Sequence, residues 1–205
     1  MPRPRSLTHD DIARAALAVI DRAGLEALAM RAVASELGMG TMSLYRYVID
    51  RAQLEALVVD LVLGEVNIVP PRRAAWTKQA TVLVERVRDA VGRHPAVIPL
   101  TVTHRHSSVN SLRWTESMLE VLTAAGFTGK NRVVALRSLL GYLIGAIQLD
   151  HHGPLSGAAT VVLAEQPDFP LLAETATHAR RLGSGEEFGR GLAALLQGLE
   201  EGRNR

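Results

Sequence analysis

A chain of 205 residues holds one compact domain, or a small head on a larger body. With 47% apolar and 21% charged residues it has ample material for a core, and a net charge of +2 does not by itself announce a nucleic-acid binder. The absence of cysteine excludes disulfides, thiolate metal sites and cysteine nucleophiles.

The isoelectric point near 9.4 comes largely from arginine. Among the 23 basic residues only Lys78 and Lys130 are lysine. Arginine's planar fork suits phosphate and guanine, but so uniform a bias reads more readily as the mark of a GC-rich genome. The N-terminal MPRPRSLTHDD lacks the apolar stretch of a secretory signal, and no run approaches a membrane span of ~20 apolar residues. The expectation is a soluble cytoplasmic protein without membrane contact.

In chain order, Arg3 and Arg5 stand between prolines in a charged arm, which either lies along phosphates or is a solvated tail. Thr8 followed by Asp10 and Asp11 predicts a capped helix start. Ile12, Ala16, Val19, Ile20 and Ala23 continue it at helical spacing to a stop at Gly24. Met30, Val33, Ala34 and Leu37 form a second apolar face that breaks at Gly38, and a short segment from Thr41 to Val48 follows, with Leu44 and Val48 inward. Two brief helices joined by a tight glycine turn read as a helix-turn-helix, whose second helix fits a major groove. The outer face carries Thr41, Ser43, Tyr45, Arg46 and Tyr47, more donors and aromatics than a buried connector needs. The plainer reading is a helical hairpin in an ordinary core.

Asp50 reads as the cap of a fourth helix running to about Val66, with Pro70-Pro71 as its stop. Trp76, Ala80, Leu83, Val84, Val87 and Val91 predict a long amphipathic helix ending near His94-Pro95. Residues 96–107 read as a short helix or turn and a loop, since Pro99 opposes a long helix. A helix from Val109 to about Ala125 ends at Gly126. The stretch from Gly129 to Asp150 is the most apolar in the chain and is expected to be buried on several sides, with Gly141 and Gly145 admitting another helix. Residues 151–168 read as a loop with a short helical piece, and Phe169 to Arg181 as a weaker helix. Glu186 to Glu201 closes the chain with Phe188, Leu192, Leu195, Leu196 and Leu199 at helical spacing. Gly189, Gly191 and Gly198 are poor helix residues there and imply tight packing by a partner. With no alternating strand pattern, the fold expected is all-α.

The stretch IARAALAVIDRAGLEALAMRAVASELGMGTMSLYRYVIDRAQLEALVVD, Ile12 to Asp60, resembles the N-terminal domain of the tetracycline-repressor (TetR) family. The match rests on the helix ending at Gly24, the LEALAMRAVASELGM helix-turn, and LYRYV before the next helix start. Downstream, AAGFTGKNRVVALRSLLGYLIGAIQLD and EEFGRGLAALLQGLEEG resemble the tetracycline repressor's own class of C-terminal domain. The resemblance implies a three-helix DNA-binding head over 1–50, a linker helix over 51–70, and a helical effector-binding and dimerisation body over 71–205. It also implies base contacts by Arg31, Thr41, Met42, Ser43 and Tyr47, and phosphate contacts by Tyr45 and Arg51. Arg31 suits guanine O6 and N7, and Met42 a thymine methyl. Met42, Arg46 and Tyr47 depart from the tetracycline repressor at groove positions, which implies a different operator. For the effector, the resemblance points to Leu83, Val87, Thr101, Arg105, Trp114, Met118 and Leu143, a hydrophobic or aromatic pocket with few polar groups.

Metal and catalytic readings find little support. His94, His104, His106, His151 and His152 form no His-Glu-x-x-His pattern, and Glu174 with His178 reads as a surface pair rather than half of a di-metal site. His104 or His106 remains a candidate hydrogen-bonder to an effector. Gly183-Ser184-Gly185 lacks the flanks of a nucleophile elbow, and Gly38-Met39-Gly40 joins two helices rather than a strand and a helix. No cofactor or metal is expected. Tetracycline-binding family members hold a magnesium–drug complex through a histidine and a water-linked glutamate, and the matching positions are Thr101 and Leu149. The expectation is a homodimeric repressor released from a palindromic operator by a small molecule, blind to magnesium–tetracycline. Its rivals are an effector-independent DNA-binding protein and an all-α enzyme with an incidental helix-turn-helix.

Overall fold

The computed structural model describes residues 7–152 and 157–203, the side chains of residues 150–152 excepted. The described residues form α-helices and short 3-10 turns without a strand, so the all-α expectation is met. The arginine arm, Arg3 and Arg5, lies outside the described residues, as do the side chains of His151 and His152.

The chain divides into two compact units, Met1–Val69 with Glu85–Ser117, and Pro70–Val84 with Met118–Arg205. In the first unit, α1 (His9–Ala23) opens with a reciprocal cap: the Asp11 amide donates to Thr8 Oγ1 at 3.2 Å and the Thr8 amide to Asp11 Oδ2 at 2.9 Å. Ile12, Ala16 and Ile20 on its inner face are fully buried. Next come α2 (Met30–Glu36), α3 (Thr41–Leu44) and α4 (Arg51–Gly64). Asp50 caps α4 by accepting from the Gln53 amide at 2.9 Å, while Gln53 Oε1 accepts from the Ile49 amide at 2.7 Å.

Helix α4 ends at Gly64, well before Pro70-Pro71. The stop is local. Asn67 Oδ1 accepts from the Val69 amide at 3.0 Å, and Arg86 Nη1 donates to the carbonyls of Asn67 and Val69 at 2.7 Å each. Within this unit lie the second part of α5 (Trp76–Gly92), α6 (Ile98–His104) and the start of α7 (Val109–Ala124). Pro99 sits in the first turn of α6, where its missing N–H costs nothing, and the short helix expected within 96–107 forms there. Asp60 of α4 holds the start of α7: its Oδ1 accepts from Ser108 Oγ at 2.7 Å and the Asn110 amide at 2.9 Å. Asn110 Nδ2 returns a bond to the Asp60 carbonyl at 3.0 Å.

The second unit is built on α8 (Gly129–His152), α9 (Ala159–Ala164), α10 (Pro170–Ala179) and α11 (Ser184–Gly202). Trp76 meets Phe127 edge-on at 5.0 Å between ring centroids and donates its indole N–H to Glu200. Arg203 donates to the Ala125 carbonyl at 2.8 Å and pairs with Glu200 at 2.7 Å. Between α8 and α11, the Tyr142 hydroxyl donates to the Phe188 carbonyl at 2.7 Å. Tyr142 lies across Gly191, where an added Cβ would come within 3.1 Å of its ring carbons.

One expectation fails here. Helix α8 is not buried on several sides within the chain: only 22% of its most apolar window is buried, and Val133, Val134 and Leu149 are exposed. Gly141, Gly145, Gly189 and Gly198 face open space among the described residues, while Gly191 is the helical glycine of this unit that a side chain overlies. Residues Gly129–Leu149 are long and apolar enough on average to cross a membrane by length and composition alone, yet Lys130, Arg132 and Arg137 keep the apolar run itself short of a span.

Replacing Asp60 with alanine strips the acceptor from Ser108, which is fully buried, and from the Asn110 amide. The expected cost is ~1–3 kcal/mol, read as a lower denaturation midpoint at unchanged m-value.

Candidate nucleic-acid interface

The geometry of the α2–α3 pair begins at its turn. Helix α2 closes with the Met39 amide donating to the Ala34 carbonyl at 2.9 Å and the Gly38 amide to the Ser35 carbonyl at 3.1 Å. This is the Schellman pattern, and it needs a left-handed residue, supplied by Gly38 at φ 66°. Gly40 then leads into α3 in extended conformation. The expected segment from Thr41 to Val48 is helical for only about one turn. From Arg46 the amides bond three residues back, Arg46 to Ser43 at 3.3 Å and Tyr47 to Leu44 at 2.9 Å, which tightens the chain before Val48.

Leu44 and Val48 are buried, as their spacing predicts. That orientation throws Met42, 80% exposed, and Tyr45, 47% exposed, outward together with Arg46. Thr41, Ser43 and Tyr47 are half-buried at the margin. Arg31, in the first turn of α2, is exposed, and neither it nor Arg46 has an ion pair or side-chain hydrogen bond among the described residues. His9 of α1 reaches the Tyr47 carbonyl through Nε2 at 3.1 Å and steadies the end of this segment. Arg22 and Glu36 join α1 to α2 at 2.8 Å, and the guanidinium bond holds the Glu36 carboxyl below the usual range.

Arg51 is not a loose surface cation. Its Nε donates to Glu55 Oε1 at 2.8 Å and Nη2 to the Leu25 carbonyl at 3.3 Å. Glu55 Oε2 in turn meets His104 Nε2 at 2.9 Å. Partial burial pushes the Glu55 carboxyl up, but bonds from Arg51 and His104, with their charges, outweigh it and hold the carboxyl below the ordinary glutamate range. The network therefore survives until well into acid, and its contribution fades only as pH falls through that depressed value.

Of the candidate effector residues, Val87, Thr101, Arg105 and Trp114 fall in the first unit and Leu83, Met118 and Leu143 in the second. All five apolar ones are buried. The Thr101 hydroxyl donates to the Ile98 carbonyl at 2.7 Å, and Arg105 donates to the Val102 carbonyl, so both polar candidates are engaged by their own helix turn. His104 is taken by Glu55 and His94 by Asp21 at 2.9 Å, pairings that no local pattern signals. His106 is exposed, and Glu174 and His178 form the exposed pair expected, at 4.0 Å.

A cleft of about 290 Å³ is lined by His9, Asp10, Arg14, Asp60, Glu65 and Asn110 among others. Its acids are satisfied: Asp10 by Arg14 at 2.9 Å, Glu65 by Arg93 at 2.8 Å, and Asp60 by the start of α7.

Residues 70–203 match the family model of the tetracyclin repressor-like C-terminal domain. The chain belongs to the tetracycline-repressor family. An HTH-type transcriptional regulator of Saccharopolyspora erythraea is 29% identical, over 82% of this chain and 74% of that protein. The HTH-type transcriptional repressor DrrR1 of Streptomyces coeruleorubidus is 32% identical over 71% of this chain and 54% of its own length. The chain thus spans about half of that second relative. Apo ActR from Streptomyces coelicolor aligns with TM-score 0.83 at 27% identity over 97% of each chain. ActR in complex with actinorhodin aligns with TM-score 0.84 at 27% identity, over 98% of this chain and all of the other. The helix-turn-helix head and helical body are therefore those of a TetR-family transcriptional regulator.

The magnesium associated with tetracycline-binding family members does not fit the residues here. Thr101 offers a hydroxyl already committed to a backbone carbonyl, and Leu149 offers no donor. Among the described residues no three His, Asp or Glu side chains cluster as a metal set.

Gly38→Ala forces an L side chain into the left-handed region at the α2–α3 turn. The expected cost is ~1–2 kcal/mol, read as a lower thermal midpoint.

Proposed function

We propose that the chain is a homodimeric repressor that binds a palindromic operator and leaves it when a small, largely hydrophobic or aromatic molecule binds the body. The reading is carried by one observation: an α2–α3 pair with a buried inner side presents Arg31, Met42, Tyr45 and Arg46 outward without intramolecular commitments for its arginines. Such a surface leaves charged donors free for phosphates and side chains free to read groove edges. Residues up to 50 act as the reading head, 51–70 as the connection, and 71–205 as the effector and dimer region.

In this reading Arg31, Thr41, Met42, Ser43, Arg46 and Tyr47 face base edges, with Tyr45 and Arg51 on phosphates. Leu83, Val87, Trp114, Met118 and Leu143 supply apolar effector contacts, and Thr101 and Arg105 polar ones. That ActR is solved in complex with actinorhodin supports a small-molecule effector for a relative of this similarity. The effector acts by binding one conformation of the regulator better than the DNA-competent one.

The dimer is assigned to α8 and α11. The exposed Val133, Val134 and Leu149, with open glycines at 141, 145 and 198, call for a cover that the described residues do not supply. A second copy supplies it through a four-helix interface of ~2,000 Å² or more. Leu195→Asp is expected to give monomers in sedimentation; an intact dimer would move the interface elsewhere.

On operator DNA, with half-sites about one helical turn or more apart, ~34–36 Å or beyond, Arg31→Ala should cost ~1–3 kcal/mol and relax preference at one base. Arg51→Ala should weaken all sequences alike and flatten the dependence on salt. A change of base preference on removing Arg51 would reverse this assignment. Titration with tetracycline and magnesium is expected to leave the operator complex intact; magnesium-dependent release at micromolar drug would sink that part of the reading.

A further inference from the structure

Arg51 has five N–H donors in a fixed fork. One on Nε goes to Glu55 and one on Nη2 to the Leu25 carbonyl, at 2.8 and 3.3 Å. The opposite edge, Nη1 with the second Nη2 proton, keeps three donors, and the side chain is 44% exposed. The carboxylate that holds the inner edge is itself fixed. Glu55 is 17% exposed and uses its other oxygen for His104, which is 13% exposed and sits at the end of α6.

We propose that Glu55 and His104 are positioning residues for DNA binding: through the Glu55 carboxylate, His104 locks the Arg51 guanidinium with its outer edge turned to the operator backbone. The inference rests on the assignment of Arg51 to phosphate. A long arginine side chain normally loses rotamer freedom on meeting DNA, and the network removes that freedom beforehand. The two oxygens of Glu55 serve different partners, so His104 does not compete with Arg51 for the carboxylate. It stops the carboxylate from rotating away. A neutral or protonated imidazole can fill this role alike, because a carboxylate only accepts and Nε2 carries the proton in either case. Leu25 lies in the turn before α2, so the guanidinium is referenced to the reading head as well as to α6.

The test is operator binding by full-length protein across a salt series. His104→Leu fills the space without a donor and should weaken binding about two- to tenfold, the scale of ordering one long side chain at an interface, with the salt slope unchanged because the phosphate contact persists. His104→Gln, which keeps a donor, should restore most of the loss. In an Arg51→Ala background His104→Leu should cost nothing further. Arg51→Lys probes the same point without touching α6: the charge and salt slope stay, the fork is lost, and affinity should fall by a similar factor. If His104→Leu weakens binding equally with and without Arg51, or Arg51→Lys binds like the parent, the positioning role is overturned. If Arg51→Ala alone changes neither affinity nor slope, it is the phosphate assignment that fails.

Discussion

The first unit depends on the packing of α4, whose apolar side is buried while Arg51, Ala52 and Gly64 at its ends are exposed. Leu54, Val58, Val59, Val62 and Leu63 are all buried and cover about half of the helix circumference, a wider apolar face than a narrow stripe. The acids on α4 and just past its end each meet a different neighbour. Glu55 meets His104 of α6, Asp60 the start of α7, and Glu65 the Arg93 guanidinium beyond α5. Five-residue steps rotate about 140° around a helix, which fans the three carboxylates around the axis. Apolar packing sets the position of α4, and the acids fix its rotation and register.

The two ends of the chain's chemistry use opposite devices. At the α2–α3 pair, backbone geometry is fixed tightly by the Gly38 turn, the Leu44 and Val48 anchors and the His9 contact, while the outward side chains are left uncommitted. In the second unit the side chains are committed and the surface is what remains open. Tyr142 spans to the Phe188 carbonyl over Gly191, and Trp76 reaches both Phe127 and Glu200. Yet one flank of α8 is left apolar and bare.

What the sequence made legible was local. Caps at Thr8 and Asp50, the glycine stop after α2, and the inward Leu44 and Val48 all depend on residues within one or two turns of each other. The links that set the site were long-range. Glu55 to His104 spans 49 residues, and Asp60 to Asn110 spans 50. Neither leaves a periodic trace, because one acid on a helix looks like any other solvated charge. The misreading of α8 has a related cause: an apolar pattern records that a surface wants cover, not whether the same chain provides it. The end of α4 at Gly64 falls two residues short of the expected Val66, and Asn67 and Arg86 turn the chain there ahead of the prolines.

The outward side chains of α3 carry a consequence for how such a protein diversifies. Met42 is 80% exposed and Arg46 is held by nothing among the described residues. Substitutions there leave the unbound fold nearly untouched, since exposed positions away from caps and cores typically shift stability by no more than about 0.5 kcal/mol. A duplicated gene can therefore wander through target preferences at these positions without crossing an unfolding threshold. The residues that would punish such drift, Leu44 and Val48, face the other way.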